Sequence, residues 1–158
     1  MSARAGAICR NVTRVGSARI ERMSAIPDGF AALRAAAEDE GFRNMSRLEG
    51  DWRSGVERFT GPGEALFAAF EDDALVGVGG VTREPTAPRS MLRARRFYVR
   101  PESRGRGVGV ALVAAVLAHA HGHAERMLVH SSASAMVFWD RAGFARIERP
   151  GLTHERPI

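Results

Sequence analysis

The strongest constraint on this chain is Arg104-Gly105-Arg106-Gly107-Val108-Gly109, where glycine fills every second position directly ahead of a long apolar run. That run, Val108–His121, is rich in alanine and valine, so it reads as a helix covered on most sides. Upstream, Leu92–Arg100 alternates in character and ends at Pro101, which reads as a strand. A helix N-terminus that follows a glycine turn offers unpaired N–H groups and the positive end of a dipole. Phosphate oxygens are the natural partner of such a terminus. Glycine lets the backbone approach a ligand, and the flanking arginines add bidentate or longer-range contacts.

Two other phosphate sites fit badly. A P-loop ends in Gly-Lys-Ser/Thr, whereas all 23 Lys and Arg positions here are arginine. The dinucleotide pattern Gly-x-Gly-x-x-Gly fails because Val110 stands where the third glycine is needed. Taken alone, the six residues read equally well as a plain connection with solvated arginines, so the surrounding sequence decides. The net charge of +5 suits an anionic ligand and also permits nucleic acid. A nucleic-acid binder gathers basic residues on one face with aromatics between them. Here arginine is scattered along the whole chain and tyrosine occurs once, so no nucleic-acid partner is expected. No apolar run reaches the roughly 18–20 residues that cross a bilayer, so no membrane partner is expected. The single cysteine, Cys9, excludes an intrachain disulfide, which fits a cytoplasmic location; with no histidine nearby it reads as an incidental thiol.

The 158 residues favour one domain, expected over residues 19–158. Residues 1–18 carry Arg4, Arg10 and Arg14 with no acidic residue before Glu21. Gly6 and Gly16 interrupt any amphipathic stripe, so a disordered leader or an early start codon fits better than a mitochondrial presequence. The pattern then predicts a strand over Arg19–Ile26 and a helix capped by Asp28 running to Glu40, with Phe30, Leu33 and Ala37 inward and Gly41 as the stop. A second helix is predicted over Ser46–Phe59, with Leu48, Trp52, Val56 and Phe59 as its apolar stripe. Ala65–Phe70 and Leu75–Thr82 form a hairpin, and Gly77, Gly79 and Gly80 suggest a bulge or a close approach. After the apolar helix come a strand over Met127–Ser131, a helix over Ala133–Arg141 ended by Gly143, and a closing hairpin of Ala145–Arg149 and Thr153–Pro157. The order predicts an α/β (α+β) fold, a mixed sheet of six or seven strands with helices on both faces.

With that order in place, Arg104-x-x-Gly107-x-Gly109 resembles the Arg/Gln-x-x-Gly-x-Gly/Ala signature of the GNAT superfamily, the Gcn5-related N-acetyltransferases. Ala135-Met136-Val137-Phe138-Trp139-Asp140-Arg141-Ala142-Gly143-Phe144 is similar to the family helix that ends in a Gly-Phe step, and Thr153-His154 is similar to a common closing-strand ending. The likeness covers Arg19 to the C-terminus, most sharply Phe97–Phe144. It implies a mostly antiparallel sheet with a central splayed parallel pair, here Leu92–Arg100 and Met127–Ser131, with the pantetheine arm of acetyl-CoA in the wedge. The backbone of Tyr98 and Val99 would then bind pantetheine like an added strand. The amides of Arg104, Gly105, Arg106, Gly107, Val108 and Gly109 would hold the pyrophosphate. Phe138, Trp139 and Arg141 would border the thioester or the far end of the cofactor. The implied reaction is direct acyl transfer to an amine of a small molecule or peptide, with acetyl the default donor and a homodimer the family's habit.

This sequence departs from the family where a general acid is usual, because Trp139 replaces the tyrosine and an indole donates no useful proton. Three readings stay open: the thiolate leaves unassisted or through water, Ser132 or Ser134 stands in, or catalysis is weak or absent. The last would make the chain a non-catalytic acyl-CoA-binding module. Glu84 and His130 are base candidates by placement. Arg93, Arg95 and Arg96 form either a solvated face or an acceptor-pocket face where one arginine pairs with an acidic group of the substrate, with Trp52 and Phe59 as further lining. His119, His121 and His123 lie two residues apart, so 119 and 121 point away from each other, and no metal is expected.

Overall fold

The structure, a computed structural model, describes residues 12–88 and 90–158, so the reading of Cys9 and of most of the leader lies outside the described residues. Its strands are β1 (Val12–Val15), β2 (Ala18–Met23), β3 (Ala65–Glu71), β4 (Ala74–Arg83), β5 (Met91–Val99), β6 (Arg126–Val129), β7 (Ala145–Arg149) and β8 (Leu152–Pro157). The helices are α1 (Phe30–Asp39), α2 (Asn44–Ser54), α3 (Val108–Ala120) and α4 (Met136–Arg141). The strands form one eight-stranded sheet in the order β1-β2-β3-β4-β5-β6-β8-β7. Every neighbouring pair is antiparallel except β5 and β6.

Each face of the sheet carries its own core. Leu92, Ala94, Met127 and Val129 pack with Leu112, Val116, Trp139 and Phe144 on the α3–α4 face. Leu66, Val78 and Tyr98 pack with Phe30, Leu33, Met45 and Leu48 on the α1–α2 face. Leu33, Met45, Leu48, Leu66, Leu112 and Met127 are wholly buried, each contributing about 1.5–3 kcal/mol by burial.

Three boundaries differ from the sequence reading. Val12–Val15, read as leader, is an exposed edge strand whose register runs from Val12↔Glu21 to Val15↔Ala18. Gly16, at φ +58, makes the tight turn between the two strands, so the glycine that interrupts a helical stripe serves a hairpin instead. At α1 the capping position falls on Gly29, at φ +84, and no side chain caps the helix, so Asp28 does not play the expected part. The second helix stops at Ser54 because Gly55 turns left-handed at φ +78. Val56 is consequently exposed, and Phe59 returns from outside the helix to stack on Trp52 at 6.3 Å. Phe59 also fills the space over Gly80, where an added Cβ would stand 2.5 Å from its ring.

Candidate active site

The parallel pair separates inside the sheet. Register runs from Met91↔Arg126 to Ala94↔Val129 and stops, while β5 continues to Val99 against β4 alone. The wedge implied by the sequence resemblance therefore opens beside Arg95–Val99. Within that stretch β5 bulges: Gly80 pairs with Arg95 and Val78 with Tyr98, so Arg96 and Phe97 share the place opposite Gly79. Arg96 takes φ +59 there. The extra residue swaps the faces of the strand. Ala94 faces the α3 core before the bulge, and Tyr98 faces the α1–α2 core after it. Alternation then sends Arg93 and Arg95 to the α1–α2 face and turns Phe97 and Val99 toward α3.

The two backbone groups expected to meet pantetheine differ. Arg100 N–H donates to the Val76 carbonyl at 2.8 Å, which makes Val78↔Tyr98 a hydrogen-bonded pair and Val99↔Gly77 a non-bonded one. Tyr98 thus directs its backbone at β4, and its hydroxyl donates to Glu40 at 2.6 Å. The N–H of Val99 faces the wedge, and its carbonyl accepts from Arg104 Nε at 2.9 Å.

The glycine turn enters α3 through Gly105 at φ +76 and Gly107 at φ +83, conformations that strain any other residue. A Cβ at either position would meet nothing within 4 Å, so the space over the turn is open. Gly109 serves packing instead, because its Cβ would stand 2.9 Å from the Phe138 ring. The arginine side chains are tied into the protein. Arg104 forks onto Glu40 at 2.8 and 2.7 Å, and Arg106 reaches the Glu102 carbonyl at 2.7 Å and Glu71 at 3.1 Å. Arg104 N–H is also engaged, at 3.2 Å from the Pro101 carbonyl. The first intrahelical bond joins Ala111 N–H to Gly107 O at 2.9 Å, which leaves the N–H groups of Val108, Gly109 and Val110 without helical partners. The first α3 turn therefore presents N–H groups without helical partners, with the arginines as its frame.

Trp139 is 4% exposed and sits at 5.1 Å, edge to face, from each of Phe97, Phe138 and Phe144. The indole is a packing element between α4 and the bulged strand. Arg141 is exposed at the end of α4. Ser132 and Ser134 are exposed, with their hydroxyls 3.2 Å apart. His130 is exposed one residue beyond the last β5–β6 pair, on the lip opposite Arg95. Glu84 is poorly suited to be a base. Burial pushes its carboxyl up, but hydrogen bonds from Arg93 and Thr86, both 3.0 Å, outweigh that and hold it below the usual range. His119 is occupied too, its Nε2 lying 3.1 Å from the Glu64 carbonyl and its pKa lowered by burial and by Arg22. Among the described residues no group of three or more His, Cys, Asp or Glu gathers to hold a metal. No helix among them is long and apolar enough to cross a membrane.

Two features escaped the sequence. Asp140 accepts from Arg146 at 3.0 and 2.7 Å and lies 3.0 Å from Nε2 of His154, which is wholly buried. His154 Nδ1 lies 2.8 Å from the Thr153 hydroxyl, which bonds the Val129 carbonyl at 3.2 Å and accepts from Ser131 N–H at 2.9 Å. This chain ties α4 to the end of β6, where the wedge begins. The Thr153-His154 pair was its only trace in the sequence. The second feature is Glu64, whose carboxyl is pushed up by burial and by the neighbouring Glu57 carboxylate.

A family model described as an acetyltransferase (GNAT) domain matches residues 33–154, and the chain belongs to that family. Among solved structures, a putative acetyltransferase from Exiguobacterium sp. 255-15 is 27% identical at a TM-score of 0.81, with 89% of this chain and 93% of that one covered. The GNAT domain of S. lividans PAT is 20% identical at a TM-score of 0.64, over 90% and 92% of the two chains. Rv2747 from Mycobacterium tuberculosis, solved in complex with CoA and NLQ, is 20% identical at a TM-score of 0.57, over 80% and 72%. The last two likenesses speak to fold alone. No curated protein matches the sequence.

Proposed function

We propose that this chain moves an acetyl group from acetyl-CoA to a primary amine of a small molecule or peptide by direct transfer. The observation that carries the reading is the end of β5–β6 pairing at Ala94 and Val129, with the glycine turn and the α3 N-terminus beyond Val99. Such an opening suits a long, thin ligand with a pyrophosphate. Pantetheine lies beside Arg95–Val99 with the N–H of Val99 toward it, and the pyrophosphate meets the N–H groups of Val108, Gly109 and Val110. The open space over Gly105 and Gly107 supports that fit.

Bound there, acetyl-CoA supplies a thioester carbonyl within reach of an amine on the α1–α2 face. His130 takes the ammonium proton, which frees the nitrogen lone pair for attack. A backbone N–H of the bulged strand near Val99 polarises the carbonyl, and alignment of the two reactants supplies much of the rate. The N–C bond forms, the attacking nitrogen gives up its second proton and the C–S bond breaks; the thiolate leaves unassisted, releasing that proton to solvent, or takes it through water or the Ser132–Ser134 pair.

Burial of Trp139 where the family has a proton donor favours a second reading, a non-catalytic acyl-CoA-binding module. Calorimetric titration with acetyl-CoA, followed by thiol release over a panel of amines, tests both. No binding at millimolar acetyl-CoA contradicts the two readings together, and binding without thiol release selects the module.

A further inference from the structure

Three arginines, Arg93, Arg95 and Arg96, cluster where the wedge begins. Arg93 is neutralised by Glu84 at 3.0 Å and Arg96 by Asp51 at 3.2 Å. Arg95 has no carboxylate within the 4.0 Å of an ion pair among the described residues. It is nonetheless half-buried, with Arg93 and Arg96 as like-charged neighbours. Burial comes first, then those two charges, in lowering its pKa, and the more distant Glu84 and Glu57 only partly offset them. A desolvated cation without a partner is a standing electrostatic cost that a bound anion would relieve.

Its position says which anion. Ala94↔Val129 is the last β5–β6 pair, so Arg95 and His130 are the first residues past it, one on each lip, with Arg95 facing α1–α2. Gly80, directly across from Arg95 on β4, leaves room that Phe59 fills, and Phe59 stacks on Trp52 at 6.3 Å. Arg95 therefore leaves the strand opposite the glycine that Phe59 covers, with the exposed His130 on the other lip. A carboxylate matches the guanidinium fork with two parallel hydrogen bonds. Its single charge balances Arg95, the one arginine of the three without a carboxylate within 4.0 Å among the described residues, whereas a phosphate dianion brings one charge more than Arg95 offsets.

We infer that the acceptor is an amino acid with a free carboxylate, held by Arg95 so that its amine is presented at the mouth of the wedge. This rests on the acetyl-transfer reading and adds the substrate class. The experiment measures thiol release from acetyl-CoA with L-amino acids, the matching amino-acid amides and the matching decarboxylated amines, with glucosamine 6-phosphate as the phosphate arm. At least one amino acid is expected to exceed its amide and amine by about 10- to 100-fold in kcat/KM, as charged hydrogen bonds allow. Arg95→Gln should collapse that ratio toward one, chiefly through KM for the amino acid, and Arg95→Lys should retain part of it.

Equal turnover of acids and amides, preference for the phosphate, or an unchanged ratio in Arg95→Gln overturns the inference and leaves acetyl transfer standing. Loss of acetyl-CoA binding in the wild-type protein instead overturns the underlying reading. Should acetyl-CoA bind with no amine accepted, calorimetry with the same amino acids and amides in the presence of CoA decides the matter. No preference for the acids there also overturns the inference.

Discussion

Glu40 and Arg104 meet in a two-pronged ion pair, 2.8 and 2.7 Å, that ties the end of α1 to the first residue of the glycine turn. Arg104 Nε also donates to the Val99 carbonyl at 2.9 Å, and Glu40 accepts from the Tyr98 hydroxyl at 2.6 Å. The acidic residue past α1 thus holds both the end of the bulged strand and the start of the turn. An arginine expected to meet phosphate instead shapes the backbone that would.

Replacing Glu40 with Gln should therefore weaken acetyl-CoA binding several-fold through a displaced turn. Partial exposure of both side chains limits the stability loss to about 1 kcal/mol. The Arg104 hydrogen bonds hold the Glu40 carboxyl below its usual range; burial opposes them, and the Tyr98 hydroxyl adds a smaller lowering. A depressed carboxylate stabilises the fold above its ordinary pKa and loses that contribution as acid protonates it. Thermal melts at neutral and acidic pH should show the variant losing less stability on acidification than the wild type.

Asp140 carries a larger depression, to about 2, caused first by the Arg146 hydrogen bonds and then by His154. Its contribution is complete above its ordinary 3.8 and disappears as pH falls through about 2. Asp140→Asn should flatten the melting-temperature profile across that window. An unchanged profile would show that the contacts do not persist in solution.

Gly107 and Gly109 should respond differently to alanine. Gly107→Ala meets open space, so it should fold with about 1–2 kcal/mol of backbone strain and bind acetyl-CoA weakly, because the methyl group enters the cradle. Gly109→Ala drives a Cβ to 2.9 Å from Phe138 and should destabilise by about 1–3 kcal/mol, read by urea unfolding. Equal unfolding midpoints and equal affinities in the two variants would refute this division of roles.

Trp139→Ala should cost about 3–5 kcal/mol in urea unfolding, since it removes the ring that Phe97, Phe138 and Phe144 surround. A stable variant that had lost only kcat would instead mark the indole as chemical.

His130→Ala should lower kcat about 100-fold, the usual worth of a positioned base, with acetyl-CoA affinity kept. Unchanged kcat would move the proton transfer to water.

Local signals carried the parts of this fold that were readable in the sequence. The alternation of Leu92–Arg100, the glycines of the turn, the apolar run of α3 and the Gly143 stop each depend on neighbours in the chain, and each element is present. The expected splay is present as well, beginning past Ala94 and Val129, where the parallel pairing stops. The glycines of β4 signalled the irregularity, and the register does shift between Val78 and Gly80; that the extra residue lies on β5 was not readable, because Arg96 at φ +59 has no side-chain signature of a left-handed residue. Partnerships across the chain were hidden for a related reason. Glu84 resembles a free base until Arg93 is placed beside it, and Asp140 resembles a surface residue until β8 brings His154 to it. Phe59 matched the helical stripe by spacing, and only the left-handed Gly55 shows that it arrives by another route.

Calorimetric titration of the wild-type protein beside Gly107→Ala decides whether the wedge and the glycine turn form one acetyl-CoA site. One acetyl-CoA per chain is expected in the wild type, with clearly weaker binding in a variant that remains folded. No heat of binding to the wild type at millimolar acetyl-CoA, or equal affinity in the two proteins, would contradict that single site.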